Sequence, residues 1–107
     1  MKLEMHGKGV PLNRGLRSHV ERRLCFALDR FGDRIRKVRV RLHDLNGPRG
    51  GEDIRCQVQA WLAPGQMVLV QETRADPFSA VARASDRIGH SCARRFGRIR
   101  DRIRGRR

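Results

Sequence analysis

Between Pro77 and Arg104 the cations Arg83, Arg87, His90, Arg94 and Arg98 recur at steps of four, three, four and four residues. On a helix, that spacing stacks side chains along one side. A guanidinium is planar, permanently charged and forked, so it holds a phosphate through two parallel hydrogen bonds or stacks on a base. Such a stripe therefore binds anions. It also costs helix stability, because like charges one turn apart repel. A merely solvated face mixes signs to gain ion pairs, whereas the acids near this one are Asp86 and Asp101 alone. Local rules are broken in this way where function requires it.

The whole chain shares the bias. Its 107 residues carry 25 Lys and Arg against 11 Asp and Glu, a formal charge of +14. The lysines are only Lys2, Lys8 and Lys37, and the preponderance of arginine favours RNA or DNA over a lipid surface as the polyanion. A hydrophobic content of 38% in a chain of this length suits one compact domain, expected over 1–104 with a basic tail at 105–107.

Cys25, Cys56 and Cys92 are odd in number, far apart and outside any C-x-x-C pair, so neither a disulfide framework nor a zinc site is expected. His6, His19, His43 and His90 are equally scattered and imply no metal. No nucleophile, base and orienting acid pair up, and no glycine-rich phosphate loop precedes a helix. The expectation is a binding protein without cofactor or small-molecule substrate. Neither a signal segment nor a membrane span is visible, which points to the cytoplasm.

The elements that must position the stripe follow from periodicity. "KLEMHG" alternates Leu3 and Met5 with polar residues, a short half-buried strand broken by Gly7 and Gly9. In "PLNRGLRSHVERRLCFALDRFGDR" the period changes: Leu16, Val20, Leu24, Ala27 and Phe31 mark an amphipathic helix ending near Gly32. From Arg36 alternation returns, with Val38, Val40 and Leu42 opposite Arg39, Arg41 and His43. The turn-rich segment 46–52 is expected to be a disordered connection. "DIRCQVQAWLA" then buries Ile54, Cys56, Val58, Ala60 and Leu62 and turns Trp61 outward; "PGQ" leads into the strand "MVLVQET". Asp76 and Pro77 supply an N-cap and a first helical position. Strand, helix, three strands, helix predicts an α+β fold: a four-stranded sheet with both helices packed on one face.

On the last helix Phe78, Val81, Ser85, Ile88, Cys92, Phe96, Ile99 and Ile103 form the expected packing side. Ala84, Ser85, Gly89 and Cys92 are small, permitting close approach to a sheet and arguing against a membrane-surface helix. His19, Arg23, Phe26 and Arg30 give the first helix a second stripe. Two basic ridges bordering a groove suit folded RNA, recognised by shape and phosphates.

Taken together, "LRSHVERRL" at 16–24, "IRKVRVRL" at 35–42 and "ADPFSAVARASDRI" at 75–88, in this element order, resemble the ribosome hibernation-promoting factor family, which includes the ribosome-associated inhibitor proteins. The most specific part is Asp76, Phe78, Ser79, Ala80 and Val81, followed by Arg87 and Arg94. The resemblance implies a factor that sits in the mRNA and tRNA channel of the small ribosomal subunit and blocks translation by occupancy. It implies ribosomal RNA contacts by Arg17, Arg22, Arg23 and Arg30 on the first helix, and by Arg83, Arg87, His90, Arg94, Arg95 and Arg98 on the last. Two positions depart from the family pattern: His90 stands where members often carry a permanent cation, and Phe26 where many have lysine. Neither the second domain of long members nor the acidic tail of the inhibitor type is present, so a short form, monomeric off the ribosome, is expected. The alternative is a free-standing double-stranded RNA-binding module, which usually opens on its helix and has three strands.

Overall fold

The computed structural model describes residues 1–46 and 53–105; the expected loop at 46–52 and the tail at 105–107 thus lie mostly outside the described residues. The elements are β1 (Lys2–Lys8), α1 (Arg14–Leu28), a 3-10 segment (Asp29–Arg34), β2 (Ile35–Asp44), β3 (Ile54–Leu62), β4 (Gln66–Arg74) and α2 (Pro77–Arg104). This is the expected α+β order. The sheet runs β1-β2-β3-β4, antiparallel throughout except that β1 lies parallel to β2. Parallel neighbours need a crossover connection, and α1 supplies it.

Strand alternation sets the two faces. Val38, Val40, Leu42, Cys56, Val58, Ala60, Val68 and Val70 point toward the helices and are buried. They meet Leu16, Val20, Leu24 and Leu28 of α1 and Ala80, Val81, Ala84, Ile88 and Cys92 of α2. A Leu or Ile at this depth contributes roughly 1.5–3 kcal/mol. Trp61 lies on the outer face as expected, beneath Lys37 Nζ and Arg39 Cζ, each 5.1 Å from a ring centroid.

Several boundaries differ from the sequence reading. β1 continues through Gly7 to Lys8, because a glycine is required there rather than disruptive: a Cβ would lie 2.5 Å from the Val10 carbonyl oxygen. Asn13 caps α1, its side chain accepting from the Leu16 N–H at 2.9 Å. The α-helix stops at Leu28, and the last expected turn is the 3-10 segment, which holds Phe31 in the core. Gly32 ends that segment's regular geometry at φ 56°, a conformation that side chains with a Cβ rarely adopt.

The packing side of α2 also needs correction. Phe78 is 44% exposed and Ile103 is 68% exposed. Phe78 lies beside the His19 ring (centroids 5.0 Å apart) instead of entering the core. The helix outruns the sheet: its last fully buried residue is Cys92, while Phe96 and Ile99 are half-buried and the final turns overhang. Phe96 packs 5.2 Å from Phe31, with Arg34 Cζ 4.5 Å from the Phe96 ring centroid. Gly89 faces α1 rather than the sheet, since a Cβ there would come within 3.1 Å of the Ala27 carbonyl oxygen.

Candidate nucleic-acid interface

Asp76 accepts from the Ser79 N–H at 2.9 Å and the Ser79 hydroxyl at 2.7 Å, fixing the start of α2. The Ser79 backbone N–H, then its hydroxyl, hold the Asp76 carboxyl below the usual carboxylate range. From that start, burial of Val81, Ile88 and Cys92 fixes the helix rotation, which leaves Arg83, His90, Arg94 and Arg98 exposed along its outer side. Arg83, His90 and Arg98 have no hydrogen-bond or ion-pair partner among the described residues. Arg94 meets only the Ser91 hydroxyl, at 3.2 Å.

The remaining candidates are tied to the protein itself. Arg87 donates to the Gln71 carbonyl at 2.8 Å and to Glu72 at 3.1 Å. Arg95 reaches Gln66 Oε1 at 2.9 Å. On α1, His19 Nε2 donates to the Phe78 carbonyl at 3.0 Å, Arg23 reaches the Ala82 carbonyl at 3.5 Å and Asp86 at 3.4 Å, and Arg30 donates to the Gly89 carbonyl at 3.3 Å. The α1 stripe therefore stitches α1 to α2. Arg17 and Arg22 bond the Leu12 and Ser18 carbonyls of their own segment.

Between the helices lies a groove of about 270 Å³ lined by Phe26, Ala27, Arg30, Asp86, Gly89 and His90. The two ridges do border a groove, but its basic rim is partly neutralised by Asp86. Phe26, 86% exposed, is the most exposed large apolar side chain described.

Sequence reasoning missed Glu72 and Asp86 as anchors. Glu72 left a trace: in "MVLVQETR" it shares the inward register of Val68 and Val70, so its carboxylate lies on the helix-facing side of the sheet. Its side chain, 14% exposed, pairs with both Arg74 (3.0 Å) and Arg87 (3.1 Å). Replacing Arg87 by an acid would thus oppose Glu72, although the one-sided stripe alone predicts relief of repulsion.

The cysteines offer no reactive thiolate inside the fold, because burial pushes the Cys56 thiol up to about 12 and Cys92 up to about 11. No described helix is long and apolar enough to cross a membrane.

Exposed cations of this kind on a strand-first α+β sheet suit a polyanionic partner, and comparison with known proteins supplies the family. Residues 3–100 match the family model described as Sigma 54 modulation protein / S30EA ribosomal protein. The chain belongs to that family, the ribosome hibernation family its sequence resembles. The N-terminal domain of Protein Y from Thermus thermophilus is similar, with 28% identity and a TM-score of 0.74 over 88% of this chain and 98% of that one. A ribosomal subunit interface protein from Coxiella burnetii shares the fold at 19% identity and a TM-score of 0.76, over 91% of this chain and 99% of the other. A search of curated proteins finds no match.

Proposed function

We propose that this protein silences ribosomes by binding ribosomal RNA in the mRNA and tRNA channel of the small subunit. Its role is occupancy rather than catalysis, and it acts in the cytoplasm as a single domain over 1–104, monomeric off the ribosome. The observation that carries the reading is the outer ridge of α2: Arg83, His90, Arg94 and Arg98, exposed and without a carboxylate partner among the described residues, on a chain matching the family over 3–100. Arg17, Arg22, Arg23, Arg30, Arg87 and Arg95 flank that ridge and exchange their internal partners for phosphates on binding. The family match favours this reading over a free-standing duplex-RNA module.

Sedimentation of the purified chain with small subunits, monosomes and dimers tests it. Binding should be found on the small subunit and should weaken about a thousandfold between roughly 50 and 200 mM salt if some six phosphates are contacted. Binding that ignores salt, or no binding to subunits, refutes the reading.

A further inference from the structure

The face of the sheet turned away from the helices is also basic, and unevenly so. The register sets Lys2, Lys37, Trp61 and Met67 in one row; Glu4, Arg39, Gln59 and Leu69 in the next; then His6, Arg41, Gln57 and Gln71; then Lys8, His43, Arg55 and Thr73. In the first two rows a single carboxylate offsets part of the charge, leaving Lys2 outside its ion pairs. Glu4 takes Lys37 Nζ at 3.3 Å and Arg39 Nε at 2.9 Å, and both cations lie over Trp61. The last two rows contain no acid. Lys8 and Arg41 have no hydrogen-bond or ion-pair partner among the described residues, and the contact of Arg55 is Nη2 to His43 Nδ1 at 3.2 Å. That contact needs the lone pair of a neutral imidazole and holds the guanidinium in place.

Cations on adjacent strands are set about 5 Å apart by the sheet spacing, and like charges placed opposite each other destabilise a sheet. The rows enclose a concavity of about 210 Å³ lined by His6, Lys8, Arg41, His43, Arg55 and Gln57, with Gly7 and Leu42 beneath. Among the described residues no carboxylate lines it. We propose that this end of the open sheet face is a second phosphate-binding site, occupied by an RNA phosphodiester. The proposal rests on the RNA-binding reading above and extends it. Because the helices cover the opposite face, the two sites engage different stretches of RNA, and the domain is gripped between them.

The lining chemistry favours RNA over an acidic protein. Its polar side chains are guanidinium, ammonium, imidazole and amide groups, whereas the exposed apolar residues of this face, Met67 and Leu69, lie in the other two rows. Protein interfaces want an exposed apolar or aromatic anchor at their centre, and among the described residues the one apolar side chain lining this concavity, Leu42, is buried.

The test compares the wild type with Arg41→Ser plus Arg55→Ser on purified small subunits over a range of salt, alongside thermal melting. The double variant should bind about tenfold more weakly, with a log affinity against log salt slope shallower by about 1.5, as expected for two lost phosphate contacts. Melting should be unchanged or raised. In parallel, NMR of labelled histidine rings should show His6 and His43 shifting on titration with a short RNA and not with polyglutamate. Unchanged affinity and slope in the variant overturns the proposal, as does a response of the two rings to polyglutamate alone. If the wild type fails to bind subunits, the reading of the partner falls. The ring titration then decides this site by itself: a shift with RNA upholds it, and silence overturns it.

Discussion

Arg23 and Arg30 of α1 and Arg83 and Arg98 of α2 are the same residue type on neighbouring helices, yet they are differently employed. Arg23 and Arg30 cross the seam and bond the Ala82 and Gly89 carbonyls and Asp86, while Arg83 and Arg98 reach into solvent with no partner among the described residues. A basic residue count therefore overstates a binding face. What separates the groups is whether the helix rotation leaves a carbonyl or carboxylate within reach.

The contrast presumes a shared platform, and removing it gives the largest effect. Val58 is 1% exposed at the centre of the sheet, so Val58→Asp buries an unpaired carboxylate costing several kcal/mol, comparable to the stability of such a domain. Loss of the cooperative melting transition is expected. A normal melt would mean that the core lies elsewhere.

The next effect bears on function alone. Arg83→Glu with Arg98→Glu should lower affinity for small subunits on the order of a hundredfold and abolish inhibition in a cell-free translation assay, with melting unchanged. Arg102→Glu with Arg104→Glu, an equal change of charge in the overhanging end of α2, should matter less. Equal losses from the two pairs would reduce the ridge to bulk charge.

A smaller, opposite signature belongs to the seam. Arg23→Ala with Arg30→Ala should cost about 1 kcal/mol of stability, since these contacts are long and partly exposed, and should weaken ribosome binding less than the ridge variant does. Chemical denaturation beside a binding titration separates the two quantities. If the seam pair lost binding without losing stability, the division between the helices would collapse. The smallest change is at Ser85, whose buried hydroxyl has no partner among the described residues. Ser85→Ala should raise stability by about 0.5–1 kcal/mol and leave binding as it was.

Element order, the strand faces and the N-cap at Asp76 were legible because each rests on local periodicity or a side chain three residues from its target. The ridge of α2 was legible for the same reason. The parallel pairing of β1 was not, since strand order depends on contacts distant in sequence. Phe78 and Ile103 fit the helical period of the packed side but lie beyond the sheet's reach, and periodicity carries no information on where a sheet ends. Nor does spacing reveal that Glu72 waits beneath Arg87, or that cations from three strands meet at one end of the outer face.

The contact of Arg87 with the Gln71 carbonyl has one more consequence. β4 is an edge strand, and an edge with free carbonyls is a template on which another chain can add a strand and seed aggregation. Arg87 occupies one such carbonyl and plants a guanidinium on the rim, while Arg95 does the same for the side chain of Gln66 at the strand's start. Charge on the rim of an edge strand is one of the devices that blunt strand addition, and these two arginines supply it at β4.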